Sequence, residues 1–350
     1  MELVQARGSG PQWAGQSACT ESWLARYSTF GYSAVAMLTN VHLKNFRGFK
    51  DTTVGPLKRV NLIVGQNNTG KTGLLEALAL LLADPPQSAG NLPQLFRSTG
   101  GDWNEIWKWI CYNKDPKNSI AINAKFKNHP DFGVWLGISS PSQGARHVGE
   151  LGNLKLFTLG QRDKALLKAS VFSTHPTNPR QDAIDYNRVV LRRKKSQVEK
   201  LLKKIEPRLQ AIETLQTGNE PLLYADVGLS EMIPVTQLGQ GFSRLLDIYS
   251  EIVAAEAKVL LIDEIENGLH HSVLSTIWRG LFNAAKEADV QIFATTHSWE
   301  CVLAADTAAR EESNYDLNLI RLDRVADNIK ATIIDKDALN TAKELHWEMR

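Results

Sequence analysis

The eight residues Gly65-Gln66-Asn67-Asn68-Thr69-Gly70-Lys71-Thr72 spell G-x-x-x-x-G-K-[ST] and leave this chain few folds to choose from. The run before them, Val60-Asn61-Leu62-Ile63-Val64, reads as a buried strand, and the run after, Gly73-Leu74-Leu75-Glu76-Ala77-Leu78-Ala79-Leu80, as a helix. Strand, loop and helix in that order form a phosphate cradle. The glycines let the backbone wrap an anion, and the helix start offers N–H groups with no intrahelical partner. In such a cradle Gly65, Asn67, Asn68, Thr69 and Gly70 surround the phosphates, Lys71 reaches the β- and γ-phosphates, and the Thr72 hydroxyl holds Mg²⁺.

A second segment completes the chemistry. Val259-Leu260-Leu261-Ile262-Asp263-Glu264 is four apolar residues followed by two carboxylates. A buried parallel strand is apolar throughout, so its first charges mark its C-terminal edge, where open α/β sheets bind ligands. Asp263 is placed to act on Mg²⁺ and Glu264 to polarise a water for attack on the γ-phosphate. Gln291-Ile292-Phe293-Ala294-Thr295-Thr296-His297-Ser298 is another apolar strand, about thirty residues on, with a helix from Leu274 to Ala285 between. That βαβ spacing makes the two strands neighbours and leaves two roles for His297, a hydrogen bond to the γ-phosphate or a structural role at the strand end. Upstream, Gly239-Gln240-Gly241 opens a helix that runs to about Ala255, a second anion-binding helix start.

This order of motifs resembles the ABC-type ATPase heads of the SMC, RecF and OLD group, and within it standalone prokaryotic AAA family ATPases. Asn45-Phe46-Arg47-Gly48-Phe49, Ile262 to His270, and Gln291 to Cys301 carry the likeness, which runs from about Met37 to Arg350. The resemblance implies an α/β P-loop NTPase with an antiparallel β lobe and a helical insertion. It implies that Glu264, His297 and Lys71 are catalytic, with Glu264 the base and His297 the switch histidine. It further implies that Thr72 and Asp263 bind the metal, that Arg47 approaches nucleotide phosphates, and that Glu266 to Leu269 line a dimer interface. ATP and Mg²⁺ are the cofactors it implies. The site would be composite in a homodimer, with Gly239 to Gly241 of one copy over the γ-phosphate of the other. DNA maintenance or anti-phage defence, with a separately encoded nuclease or toxin, is the implied setting. The chain departs from the pattern at Gly239, which stands where a signature serine belongs. No clear motif marks the Q-loop glutamine, for which Gln87 and Gln94 are candidates.

The chain has 350 residues and a net charge of +2, so overall charge makes no case for nucleic acid or membrane. No apolar run is long enough to span a bilayer. Cys19, Cys111 and Cys301 are scattered without metal spacing, which fits a reduced cytoplasm. Residues 1–36 are expected to be a disordered or mis-started extension before a head over 37–350, leaving no room for an appended nuclease domain.

From Met37 to about Leu159 the pattern is mostly strands. Trp103, Trp107 and Trp109 cluster there, suited to base stacking or to capping a small core. Residues 173–218 read as the helical insertion: Asp182 to Thr214 carries apolar residues at three- and four-residue steps, and Pro207 is expected to kink it. Its face is basic from Arg188 to Arg208 and would suit nucleic acid, or equally a solvated surface or an acidic-protein dock. Asp316 to Leu322 and Ile329 to Ile334 read as a hairpin before a last helix ending at Trp347–Arg350.

Overall fold

The structure, a computed structural model, describes residues 36–83, 96–97, 103–141, 144–160, 168–175, 178–218, 220–254 and 256–345. The extension expected over 1–36 (apart from Ala36), the candidates Gln87 and Gln94, and the helix end at Trp347–Arg350 lie outside them.

Antiparallel strands build the first lobe. Strands β1 (Met37–Phe46) and β2 (Phe49–Val54) form an antiparallel pair. Strand β3 (Val60–Val64) then leaves this lobe. Strands β4 (Ile120–Lys127), β5 (Phe132–Gly137), β6 (Arg146–Leu151) and β7 (Leu154–Leu159) complete a six-stranded antiparallel sheet ordered β2-β1-β4-β5-β7-β6.

The second sheet is the mostly parallel core. It contains β3, β8 (Ala169–Phe172) and, further along the chain, the strands Val259–Ile262, Gln291–Thr295, Leu317–Val325 and Asn328–Ile334. Between β8 and these, β9 (Ala211–Thr217), β10 (Glu220–Asp226) and β11 (Ile233–Pro234) make a separate three-stranded sheet. The four later core strands are therefore β12 to β15, and the core order is β15-β14-β3-β13-β12-β8. Every pairing is parallel except β14 with β15, which is the expected hairpin. The asparagine-and-glycine turns aside, all five residues of β3 and all four of β12 are buried, as strands covered on both faces must be.

Helix α1 (Lys71–Leu82) follows the loop after β3 and is buried at every residue but Thr72. It lies between the two sheets, touching β1, β4 and β5 on one side and β8, β12 and β13 on the other. The period-two rule divides the core strands between two hydrophobic layers. Ile63, Val259, Leu261 and Phe293 join α1 and the lobe. Val60, Leu62, Val64, Leu260, Ile262 and Ile292 face the helices beyond. In the lobe, Trp107 of α2 (Trp103–Lys108) is buried, whereas Trp109 is 47% exposed with the Lys114 ammonium 5.1 Å from its ring centroid.

The middle of the chain departs from the expected helix over Asp182 to Thr214. Helix α3 (Pro179–Leu191) starts on an Asn178 cap and stops before Arg193, whose φ is +58°. Helix α4 (Lys195–Leu202) is short, and Pro207 lies after it rather than inside a helix. Val198 and Leu202 are buried from α4, but Ile212, which sits on the same helical period, is buried from strand β9 opposite Ala225. The apolar period survives while the backbone changes, because Ala211 to Thr217 pairs with β10 and Gly218 turns with φ +63° into that strand.

Helices α5 (Gln240–Ala254), α6 (His271–Ala288) and α7 (Trp299–Glu311) connect and cover the outer face of the core sheet, and α8 (Lys336–Glu344) follows β15. Helix α5 packs against α3, α4 and α6. Among the described residues no helix is long and apolar enough to cross a membrane.

Candidate active site

The sheet order brings the motifs together. Strand β13 lies between β3 and β12, so the loop after β3 and the carboxylates after β12 flank the end of β13. The Thr72 hydroxyl donates to Asp263 Oδ2 at 3.1 Å and lies 3.3 Å from Oδ1. Lys71 is 5% exposed and donates through Nζ to the carbonyls of Gly65 (2.7 Å) and Gln66 (2.9 Å). Burial lowers its ammonium from the ordinary lysine value, against the pull of Asp263, Glu264 and Glu266. The Thr69 hydroxyl closes the loop onto the Gln66 carbonyl at 2.8 Å, leaving Asn67 and Asn68 exposed at its tip.

Asp263 is buried, and Glu264 sits in the left-handed region with φ +48°. The Glu264 carboxylate lies 3.8 Å from His297 Nε2. The His297 backbone N–H donates to Glu266 Oε1 at 2.7 Å, which ties the histidine loop to the segment after Glu264. Thr72 and Asp263 offer hard oxygen donors side by side, the chemistry that Mg²⁺ takes, so the residues present fit that ion.

The glycine turn is built for close approach. Gly239 has φ +97° and ψ 157°, a region essentially closed to side chains, which accounts for the missing serine. Gly241 lies against the Gly268 backbone. Arg244, one turn along α5, donates from Nη2 to the Asp263 carbonyl and is 9% exposed. Burial lowers its guanidinium value, with Asp263, Glu266 and Glu264 opposing.

Arg47 is placed on a carboxylate rather than in the loop. Its Nε and Nη2 donate to Glu76 Oε2 and Oε1 at 2.8 and 3.0 Å, and Arg97 Nε donates to Glu76 Oε1 at 2.9 Å. Glu76 is buried on α1, where a carboxylate taken from water needs such hydrogen-bond partners. Burial lowers the Arg47 value, opposed by Glu76. Sequence reasoning missed Glu76, Arg244 and Thr295 as partners. The one visible signal was a glutamate inside an otherwise apolar helix, Glu76.

A profile described as an AAA ATPase domain matches residues 37–220, 184 of the chain's 350 residues. The chain belongs to this AAA ATPase family. A second AAA domain profile matches residues 187–302. An ATP/GTP phosphatase of Helicobacter pylori is 25% identical over 334 residues, covering 79% of this chain and 89% of its own length. The DNA replication and repair protein RecF of Bacillus cytotoxicus is 30% identical over 136 residues, 38% of this chain and 34% of that protein. Among solved structures, an SMC head bound to the C-winged helix domain of ScpA aligns with TM-score 0.59 at 11% identity, covering 86% of this chain and 99% of that one. The AAA ATPase thus has the P-loop, ABC-type fold of an SMC head, is an ATPase, and binds ATP.

Proposed function

We propose that this ATPase hydrolyses Mg²⁺-ATP at a site shared between two copies, and that ATP closes the dimer and hydrolysis opens it. The contact of Thr72 with Asp263 carries the reading: it joins phosphate loop and carboxylate strand into one polar site. Gly65, Asn67, Asn68, Thr69 and Gly70 cradle the phosphates, and Lys71 neutralises the γ-phosphate. Thr72 and Asp263 would hold Mg²⁺, which when bound offsets charge on the β- and γ-oxygens. Glu264 takes the proton of the attacking water as its oxygen bonds to the γ-phosphorus and the bond to the ADP oxygen breaks. His297, beside Glu264, orders that water and the γ-phosphate. Gly239 to Gly241 of the partner copy would add backbone donors over the γ-phosphate. Residues 173–218 are an insertion in the head. Arg47 turns toward phosphate only if it exchanges Glu76 for it.

The switch acts in the cytoplasm in DNA maintenance or anti-phage defence through a separately encoded nuclease or toxin. The RecF relative and the SMC-like fold support the first. A second reading is a nucleotide-gated scaffold that hydrolyses slowly, and the serine-free turn at Gly239 favours it. Phosphate release measured with Mg²⁺ and with chelator separates the two. Multiple turnovers that need Mg²⁺ and vanish in Glu264→Gln support the enzyme; single-turnover or no release in wild type supports the scaffold.

A further inference from the structure

We propose that Thr295 is a positioning residue for ATP hydrolysis, its one hydroxyl setting both the direction of the Asp263 carboxylate and the turn that aims Glu264. Thr295 is the last residue of β13 and is fully buried. Its Oγ1 donates to Asp263 Oδ1 at 2.6 Å and accepts the Glu264 backbone N–H at 2.8 Å. Its carbonyl accepts the Ile265 N–H at 3.0 Å. Three successive residues of the neighbouring turn are therefore fixed to one residue of the middle strand.

The geometry explains two features. Asp263 has two oxygens and Thr72 reaches both, at 3.1 and 3.3 Å, so Thr72 alone does not set the plane of the carboxylate. A short bond to Oδ1 does, and it leaves Oδ2 directed toward Thr72. Glu264 has φ +48°, a conformation that a residue with a β-carbon rarely holds unless its surroundings impose it. The N–H groups on both sides of its side chain, at 264 and 265, are tied to Thr295. Valine at 295 fills the same space without a hydroxyl, leaving the Glu264 N–H without this partner and Asp263 Oδ1 with only the 3.3 Å contact of Thr72.

The inference rests on the roles given to Asp263 and Glu264 above. Its test compares Thr295→Val, Thr295→Ser and Thr295→Cys with wild type and with Glu264→Gln. Thr295→Val is expected to lower kcat about 10- to 100-fold, the range for a residue that orients a metal-binding group. Thr295→Ser keeps the hydroxyl and is expected to restore most of the rate. A second readout avoids turnover: calorimetry of a non-hydrolysable ATP analogue with and without Mg²⁺. The affinity gained from Mg²⁺ is expected to shrink in Thr295→Val and to persist in Thr295→Ser. If Thr295→Val does not fold, Thr295→Cys, with a weakly donating thiol of similar size, takes its place. Wild-type turnover and an unchanged Mg²⁺ effect in the valine or cysteine variant overturn the inference, as does equal damage by serine. If Glu264→Gln also turns over like wild type, the underlying reading fails; if only the Thr295 variants do, this inference fails alone.

Discussion

The Gly241 backbone lies so close to Gly268 that a β-carbon at 241 would overlap the Gly268 carbonyl oxygen, while one at 268 would come within 2.9 Å of the Gly241 nitrogen. The glycine turn and the loop after Glu264 therefore touch backbone to backbone within one chain. Any side chain at 241 disturbs that contact before it meets a phosphate. Charge and bulk can be separated by Gln240→Asp, since Gln240 is exposed and an acid in the first turn suits a helix. In sedimentation, the Glu264→Gln protein is expected to show more dimer with ATP than with ADP, and Gln240→Asp to abolish that gain by repelling the γ-phosphate. A dimer insensitive to nucleotide and to Gln240→Asp defeats the ATP-driven clamp.

Lys71→Ala is expected to lose Mg²⁺-ATP binding while keeping its fold. The lysine bonds to two carbonyls of its own loop, so its removal costs local contacts as well as a phosphate contact. A hydrogen bond to a charged group contributes about 1.5–3 kcal/mol, a drop in affinity of roughly 10- to 150-fold. Calorimetry giving an unchanged dissociation constant would remove the assignment.

Glu264 offers a trade between stability and chemistry. Its left-handed backbone is strained for glutamate and relaxed for glycine. Glu264→Gly is expected to raise stability by about 1 kcal/mol. Losing the general base is expected to lower kcat about 10²- to 10⁴-fold. Thermal melts paired with phosphate release test both; a lower melting temperature contradicts the strain argument.

The basic helix face is smaller than its sequence suggests. Arg188 and Arg192 pair with Glu256, Lys195 with Glu213 and Glu199, and Arg208 with Glu206, while Lys194 bonds to the Val253 carbonyl. Among the described residues no ion pair involves Arg193, Lys200, Lys203 or Lys204. If this face binds nucleic acid, Lys200→Glu with Lys203→Glu and Lys204→Glu is expected to weaken binding and flatten its salt dependence. Charge reversal at Arg192 or Lys195 would chiefly break internal pairs. Titrations of labelled duplex at several salt concentrations decide, and unchanged curves return the face to solvent.

Asp247, on α5, gives a pH signature. Burial, with Asp182 and Asp185 nearby, pushes its carboxyl up to about 9, and its Oδ2 has no hydrogen-bond partner. The folded protein then binds a proton that the unfolded chain has released. Stability should fall as pH rises from the ordinary carboxylate range toward 9, by up to about 1.4 kcal/mol per pH unit. Asp247→Asn is expected to be more stable than wild type at pH 8, with a gain that shrinks toward pH 5. Denaturant melts at both values check this; a gap independent of pH refutes it.

The phosphate loop, the carboxylate strand, the histidine strand and their adjacency were legible because buried parallel strands announce themselves as apolar runs ending in polar residues. The middle was not. Val198, Leu202, Leu209 and Ile212 are all buried, as a helical period requires, but only the first two lie on a helix. Periodicity records burial, and two backbones can satisfy it; the turn at Gly218 was the discriminating sign. The network around Asp263 was hidden for another reason. Thr295 and Arg244 reach it from 32 and 19 residues away, and such pairings exist only once the sheet order is fixed.

Helix α5 starts at the glycine turn, binds the Asp263 carbonyl through Arg244, and continues against α3 and α4. Its 15 residues make a rod of about 22 Å. Thermodynamic reciprocity applies along such a rod. By whatever factor bound ATP alters the affinity of a partner docked on α3 and α4, that partner alters the affinity for ATP by the same factor. A binding partner could therefore be sought without knowing its biology, as the component of a mixture that shifts the protein's ATP dissociation constant.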